Sequence, residues 1–290
     1  MNILILSRNQ ALYSTRRLLE ESKKAKHNAA VVDYMHCSLI CEKQNPVVQY
    51  NGRSLAYIDM IIPRIGASFT YHGSSLIRQF EMQNTATLMT SEALLRARDK
   101  LHCLQALTTQ GVGMPKTYFS YYFYNIDAMI TAVGGFPFVI KQLEGAQGYG
   151  VFLVHDRKQA HELIQAHQDS NQHFILQEYI AESQGSDIRA FVVGNRVVAA
   201  MKRQAQQGEF RSNLHQGGTA HPVELNDAET ETAIKSAKTM GLSVAGVDML
   251  QSSRGPLVLE VNASPGLEGI EKTSHVNVAK KIIQFMEHKL

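Results

Sequence analysis

Apolar and polar positions in the first part of the chain predict alternating strands and helices. Short apolar runs indicate buried strands, and a helical period of apolar residues indicates amphipathic helices. The strand-like runs are 2–6, 29–33 and 58–62, and the helical runs are 12–25 and 73–82. Strands that alternate with helices form a parallel sheet with helices on both faces. We therefore predict an α/β fold with a doubly wound N-terminal domain over residues 1–96.

A charged joint at residues 96–100 is followed by a helical run and then by strands with polar turns. The helical runs are 99–110, 158–167, 226–240 and a last amphipathic segment, and the strands are 117–124, 136–141, 151–154, 174–180, 187–193 and 196–201. The two-residue turn Gly194-Asn195 predicts a hairpin. The aromatic run 117–124 has no clustered Lys or Arg, so we predict a strand packed on a core and not a base-stacking surface.

Residues 243–269 predict a second hairpin, in which Asp248 lies opposite Glu260. Alternation along the second strand sends Val258, Glu260 and Asn262 to one face. Two carboxylates that close repel each other, and a hard divalent cation would remove that repulsion. The alternative is a solvated strand face without a metal.

Two further stretches have the composition of anion-binding loops. Residues 144–150 are glycine-rich and follow Lys141, which ends a strand. They join two strands and do not match a P-loop, so they form either a tight hairpin or a loop that lets backbone N–H groups approach a phosphate. Residues 211–218 combine Arg, Asn, His and two glycines, and form either a solvated or an anion-binding loop.

The N-terminal domain carries two arginines at predicted strand ends, Arg8 and Arg64. Open α/β sheets bind ligands at such ends, so these side chains either bind an anionic substrate or lie on an ordinary surface. A dinucleotide site is rejected, because no G-x-G-x-x-G follows the first strand.

Composition narrows the class of protein. The chain has 290 residues, a net charge of +3 and three cysteines. The charge is too small to indicate a nucleic-acid partner. The odd cysteine count without a secretory signal favours a reduced, cytoplasmic setting, and Cys37 and Cys41 lack partners for a zinc site. No apolar run reaches the roughly 18 residues that a membrane span needs.

Taken together, these stretches resemble the ATP-grasp ligases over nearly the whole chain, and within them the RimK-type α-L-glutamate ligases. The segments typical of that group are 97–100 (ARDK), 211–215 (RSNLH), 266–273 (GLEGIEKT) and the run LEVNASPG that starts at Leu259. The resemblance implies a two-lobed ATP-grasp module over residues 104–287, α+β in type. Its small lobe would span about 104–180 and its large lobe about 181–287.

The resemblance also implies a role for each matching residue. ATP would be bound by Lys100, Lys141, Gly148, Glu178, Tyr179, Asp187, Arg211, Ser212 and Asn213. Of these, Arg211 and Asn213 would also act in catalysis. One or two Mg²⁺ or Mn²⁺ ions would be held by Asp248, Glu260 and Asn262.

The implied reaction joins L-glutamate to the C-terminus of a protein acceptor, a small-subunit ribosomal protein, through an acyl phosphate. The resemblance implies neither a nucleic-acid nor a membrane partner, and it is compatible with a homo-oligomer. Three alternatives stay open: a ligase for a carrier protein or cofactor tail, a phosphotransferase, and a nucleotide-binding module without catalysis.

Overall fold

The computed structural model describes residues 1–122, 124–143, 150–170, 172–214 and 217–288. Up to Arg98 the elements are β1 (Asn2–Leu6), α1 (Tyr13–Lys24), β2 (Asn28–Val32), β3 (Cys37–Ile40), β4 (Val47–Tyr50), β5 (Arg53–Ser54), β6 (Met60–Pro63), α2 (Thr70–Met82), β7 (Ala86–Thr87) and α3 (Ser91–Arg98).

The N-terminal domain is a four-stranded parallel sheet in the order β2-β1-β6-β7. Both faces of β1 are covered. Ile3 and Ile5 pack in one buried cluster with Leu18 of α1, and Leu4 packs in another with Phe80 of α2. The predicted doubly wound arrangement is confirmed. The small antiparallel sheet β3-β4-β5 was not predicted, because its strands are short and partly exposed.

The second part begins with α4 (Lys100–Thr109), followed by β8 (Thr117–Tyr118), α5 (Ile126–Ala132), β9 (Phe138–Gln142), β10 (Val151–Val154), α6 (Arg157–Asp169) and β11 (Phe174–Glu178). Four of these strands form an antiparallel sheet in the order β10-β9-β11-β8. Its core is a separate cluster that includes Ile130, Phe138, Ile164 and Phe174. We call this sheet with α5 and α6 the small lobe.

The predicted strand over residues 117–124 is wrong beyond Tyr118. Only Thr117 and Tyr118 pair with β11, and the Ser120 hydroxyl then donates to the Tyr122 carbonyl in a turn. Tyr122 is 59% exposed and Tyr124 is 87% exposed, so these rings do not enter a core. Strand propensity alone therefore does not extend β8, because the described residues of this segment pair with β11 only as far as Tyr118.

The remaining elements form the large lobe and close the chain. They are β12 (Ser186–Val193), β13 (Arg196–Gln204), β14 (Thr219–Pro222), α7 (Asp227–Thr239), β15 (Val244–Leu250), β16 (Leu257–Asn262), α8 (Leu267–Ser274) and α9 (Val278–Glu287). The five strands form an antiparallel sheet in the order β14-β13-β12-β15-β16.

The large lobe and the N-terminal domain share their hydrophobic cores. One buried cluster joins Leu4 and Phe80 to Val247 of β15, and the other joins Ile5 to Ile282 of α9. The small lobe, in contrast, has a core of its own. No helix in the described part of the chain is both long and apolar enough to cross a membrane.

Candidate active site

The β15–β16 hairpin places two acids opposite each other, as the sequence predicts. Asp248 pairs with Glu260, and Gly246 pairs with Asn262. The turn closes through Gly255, whose φ of +92° suits glycine, and the Ser252 hydroxyl donates to the Gly255 carbonyl. The register therefore brings both predicted metal-ligating acids to one site.

A β-bulge corrects the predicted alternation on β16. The register shifts between Asp248 and Met249, so that Val258 pairs with Met249. Val258 is fully buried in the core, whereas Leu259 lines the same cavity as Glu260. An extra residue in one strand changes the face of the sheet on which the side chains beyond it lie. Strict alternation of side chains along a strand does not predict such a bulge.

Charged residues cross the large-lobe sheet in a row from β13 to β16. Arg203 donates through Nε to Asp187 at 2.7 Å and through Nη2 to Asp248 at 2.8 Å. Arg189 donates to both carboxylate oxygens of Asp248, its Nε lying 2.7 Å from Oδ1. These acids and Arg203 are buried, so the ion pairs are shielded from water.

The arginines decide the charge state of Asp248. Burial by itself raises the pKa of Asp248, but the neighbouring Arg189 and Arg203 outweigh it and hold the pKa well below its ordinary value. In turn, burial lowers the pKa of Arg203, and the two aspartates outweigh that effect and raise it. Asp248 is therefore an anion throughout the neutral range.

Glu260 and Asn262 offer oxygen atoms beside this network. Asn262 donates to Glu260 Oε1 at 2.9 Å, and Arg189 Nη2 lies 3.9 Å from the same oxygen. The Glu260 side chain is 48% exposed. Two carboxylates and an amide suit Mg²⁺ or Mn²⁺. Among described residues, no three His, Cys, Asp or Glu side chains group as a metal site, so an amide or substrate oxygen would complete the ligand set.

A cavity of about 180 Å³ lies between the small-lobe sheet and the large-lobe sheet. Its cationic side chains are Lys100, Lys141, Arg203 and Arg211. Its apolar wall includes Val139, Val151, Ile175, Leu250 and Leu259. An apolar slot that opens onto several cations fits a base attached to phosphates.

The two lysines reach the cavity from different elements. Lys100, at the start of α4, donates to the Leu143 carbonyl at 2.7 Å. Lys141, on β9, donates to Gln177 Oε1 on β11. Burial lowers the pKa of Lys141 to about 8, with Lys100 lowering it further and Glu260 opposing. Part of the Lys141 population is therefore neutral in mildly alkaline solution.

Three more of the predicted ATP-binding residues, Glu178, Tyr179 and Asp187, line the same cavity. Glu178 and Tyr179 lie at the end of β11, and Asp187 lies near the start of β12. Glu178 accepts from the Lys116 backbone N–H at 3.0 Å and from Arg254 at 2.7 Å. Asp187 is held by Arg203.

The predicted anion-binding loop also borders the cavity, through Arg211, Ser212 and Asn213. Arg211 forms a 2.6 Å ion pair with Glu209. Hydrogen bonds from Arg211 lower the pKa of Glu209 to about 2, and the same pairing raises the pKa of Arg211. Of the predicted ATP-binding residues, Gly148 lies outside the described residues.

Sequence reasoning missed Arg189, Arg203 and Glu209 as site residues. The only available signal for Arg189 and Arg203 was an arginine in the middle or near the end of an apolar strand. Their roles depend on pairing between β12, β13 and β15, which a single strand does not specify.

Arg8 and Arg64 differ in their surroundings. Arg8 lies 3.3 Å from Asp33 and over the Phe69 ring. Arg64 donates to the carbonyls of Pro265 at 2.7 Å and Ser264 at 3.4 Å. The structure thus brings Arg64, but not Arg8, into contact with the segment that follows β16.

Comparisons with known proteins agree with this geometry. The model of the RimK PreATP-grasp domain matches residues 1–94, and that of the RimK-like ATP-grasp domain matches residues 97–286. A protein of Picosynechococcus named "probable alpha-L-glutamate ligase" is 51% identical over 99% of this chain and 95% of its own length. One of the same name from Aeromonas salmonicida is 50% identical over 100% of this chain and 97% of its own.

Among solved structures, the ATP-grasp ligase PsnB, in complex with a phosphomimetic variant of its minimal precursor, Mg and ADP, has a TM-score of 0.74. The match covers 99% of this chain and 98% of that chain at 18% identity, and so shows a shared fold. Family models that cover nearly every residue decide the relationship. The chain therefore belongs to the RimK-like ATP-grasp family.

Proposed function

We propose that this protein is an ATP-dependent α-L-glutamate ligase that adds L-glutamate to the C-terminal carboxyl group of a protein acceptor. The observation that carries the proposal is one cavity lined by Lys100, Lys141, Asp248 and Glu260, drawn from both lobes. The names of the curated relatives, at 50% and 51% identity, support glutamate as the substrate.

ATP would lie between the lobes. Its base would fill the apolar part of the cavity beside Tyr179, and its ribose would face Asp187. Lys100, Lys141 and Arg211 would neutralise its phosphates, which is the main requirement of phosphoryl transfer. The Mg and ADP in the PsnB complex support a nucleotide and Mg²⁺ for this fold.

Asp248, Glu260 and Asn262 would hold one or two divalent ions, Mg²⁺ or Mn²⁺. Glu260 and Asn262 are placed for this, whereas Asp248 would exchange one of its hydrogen bonds to Arg189 for the metal. When bound, such an ion draws charge from the phosphate oxygens. The donor set fits this role, since all its ligating atoms are oxygens.

The reaction would proceed in two steps. A carboxylate oxygen of the acceptor attacks the γ-phosphorus, the bond to the β-phosphate oxygen breaks, and ADP leaves. The glutamate amine then attacks the acyl carbon. The bond from that carbon to the bridging oxygen breaks, phosphate leaves with this oxygen, and the amine loses a proton. Arg211 and Asn213 would stabilise the transferring phosphoryl group and the tetrahedral oxyanion, and a single such donor contributes a factor of about 10²–10³ in rate.

We further propose that the acceptor is a small-subunit ribosomal protein, which would place the reaction in the cytoplasm. The three cysteines are free, as expected in that compartment. Another peptide acceptor is the competing assignment, favoured by the peptide precursor in the PsnB complex.

The test is intact-mass spectrometry of purified small-subunit ribosomal proteins after incubation with the enzyme, ATP, MgCl₂ and L-glutamate. We expect one protein to gain whole glutamyl residues, only when ATP and glutamate are both present. Fragmentation should place them at its C-terminus. If no ribosomal protein gains mass while ADP is released with another peptide, the ribosomal assignment is wrong. If no acceptor supports glutamate-dependent ADP release, the ligase assignment is wrong.

A further inference from the structure

Two neighbouring arginines, Arg64 and Arg98, lie beside the segment that follows β16. Arg64, directly after β6, donates to the Pro265 carbonyl at 2.7 Å, and Arg98, the last residue of α3, donates to the Ile65 carbonyl at 2.6 Å. Neither forms an ion pair with an acid in the described part of the chain. Both guanidinium groups are thus held by neutral carbonyl groups, and they are close enough for the charge of Arg98 to act on Arg64.

Polar atoms at the same place are buried without a partner. Among the described residues, Arg98 Nε and Ser264 Oγ are the buried side-chain atoms that make no hydrogen bond. Ser264 is joined to Arg64 through its own carbonyl, and Arg98 is joined to the residue after Arg64. Buried polar atoms are nearly always satisfied in folded proteins, so one orphan on Arg98 and another on the serine that Arg64 contacts indicate a position built for a ligand.

The charges at this position favour an anion. Burial lowers the pKa of Arg64 to about 10, and the charge of Arg98 lowers it further. Burial also lowers the pKa of Arg98, with Glu260 acting in the opposite direction. Two like charges in a partly desolvated site repel each other, and an anion between them removes that repulsion.

Arg8, at the neighbouring strand end, provides a contrast. Its guanidinium already has Asp33 at 3.3 Å and the Phe69 ring at 4.6 Å. An arginine with its own acid and ring partner gains less from an added anion. Of these three arginines, Arg64 and Arg98 are therefore the two without an acidic partner among the described residues.

We propose that Arg64, Arg98 and Ser264 form a carboxylate-binding subsite, which holds a substrate carboxylate beside the reacting centre. This rests on the proposed ligase function. Ser264 lies two residues after Asn262, and the charge of Glu260 raises the pKa of Arg98. The subsite therefore adjoins the proposed metal ligands. Guanidinium groups offer the planar, paired donors that a carboxylate accepts. The carboxylate comes from free glutamate or from the acceptor, because both substrates carry one.

The experiment compares Arg64→Gln, Arg98→Gln and Ser264→Ala with Arg8→Gln as the matched control. We expect the two arginine variants to raise the KM for one substrate at least tenfold, Ser264→Ala to raise it severalfold, and the KM for ATP to stay unchanged. A rise for glutamate assigns the subsite to the free amino acid, and a rise for the acceptor assigns it to the acceptor. Arg98→Lys, which keeps the charge but not the paired donors, should recover part of the loss.

Binding of glutarate provides a readout that needs no turnover, since this diacid has both carboxylates of glutamate but no amine. In calorimetric titrations with MgADP present, we expect the wild type and Arg8→Gln to bind glutarate, and Arg64→Gln and Arg98→Gln to lose that binding with melting temperatures kept. Lost binding in a protein that adds no glutamate would leave the subsite standing and overturn only the ligase function. Unchanged KM values and glutarate binding, or an equal effect of Arg8→Gln, would overturn the subsite.

Discussion

Asp248 and Glu260 pair across the β15–β16 hairpin, yet their side chains are 4% and 48% exposed. Arg189 and Arg203 enclose Asp248, whereas Glu260 faces the cleft with Asn262 as its near neighbour. The two acids that the sequence treats as equivalent therefore differ in what supports them. One is part of the buried structure of the sheet, and the other is free to meet a ligand.

Replacing each acid should separate catalysis from stability. Glu260→Gln should lower kcat by about 10²–10³ and leave the melting temperature unchanged, because the side chain is half exposed. Asp248→Asn should also abolish turnover. It should in addition lower the free energy of unfolding by about 3–5 kcal/mol, because two buried arginines lose a charged partner.

The measurements are steady-state kinetics and urea unfolding of both variants. Because only Asp248 has buried arginine partners, only its replacement should destabilise the fold. Near-normal turnover of Glu260→Gln would remove it from the proposed metal site. Equal stability of the two variants would contradict the structural role of Asp248.

Arg189 competes with a metal ion for Asp248. It donates to both carboxylate oxygens, so an ion that binds Asp248 must displace at least one of these hydrogen bonds. Arg189→Met should therefore raise the affinity of the ATP-free protein for Mn²⁺ severalfold. Arg203 still pairs with Asp248 in that variant and keeps the acid ionised.

Electron paramagnetic resonance of free Mn²⁺ measures this affinity directly. Glu260→Gln is the matched control and should weaken Mn²⁺ binding, because it removes a ligand and leaves Arg189 in place. If Arg189→Met weakens Mn²⁺ binding as much as Glu260→Gln does, the arginine supports the site and does not compete for it.

The hairpin was predictable because its chemistry is local. The apolar period and the turn fix the register of Asp248 against Glu260 within one short segment. The bulge at Leu259 was not predictable, because period-two counting assumes that no residue is added. Arg189 and Arg203 lie at the site only through strand pairing with distant segments. Arg98 and Ser264 are placed by hydrogen bonds to Ile65 and Arg64, which are also distant in sequence.

The aromatic run illustrates the opposite failure. Its residues favour strands, but pairing ends at Tyr118, and Tyr122 and Tyr124 face solvent. Strand propensity by itself therefore does not decide whether a segment joins a sheet. The prediction of the α/β part was correct because each apolar strand there pairs with a parallel neighbouring strand.

Lys141 should give ATP binding a pH dependence near pH 8. Burial lowers the pKa of Lys141 to about 8 in the free protein, so the side chain is cationic below that pH and loses its charge above it. Since the cation attracts the phosphates, kcat/KM for ATP should fall as the pH rises through about 8. In the pH profile of kcat, the fall, or descending limb, should occur at a higher pH, because bound phosphates favour the charged form of Lys141.

A pH profile of both parameters from pH 6 to about 10 checks this expectation. Lys141→Arg should move the limb out of that range, since a guanidinium stays charged. Lys141→Met should have a low kcat/KM without the limb. A limb that stays near pH 8 in Lys141→Arg would assign it to another group.

Gly150 directly precedes β10 at the end of the glycine-rich segment and should be sensitive to a single methyl group. Its φ is +71°, and an added Cβ would overlap the Gln142 side chain. Gln142 in turn donates to Gln172 at 2.8 Å and contacts His167 at 3.1 Å, so it is held in place. Gly150→Ala should therefore displace Gln142, which lines the cavity, and raise the KM for ATP about tenfold or more, a change of about 1.4 kcal/mol in binding.

Gly255→Ala is the matched control for this substitution. Gly255 also has a positive φ, +92°, but an added Cβ there would meet no atom within 4 Å. Both substitutions carry a backbone cost of about 1–2 kcal/mol for a left-handed conformation, so both should lower the melting temperature, and Gly150→Ala should lower it further through the overlap with Gln142. Only Gly150→Ala should change the KM for ATP, because only there does the methyl group strike a side chain that lines the cavity. Equal KM values for ATP in the two variants would mean that the glycine-rich segment does not support nucleotide binding at its Gly150 end.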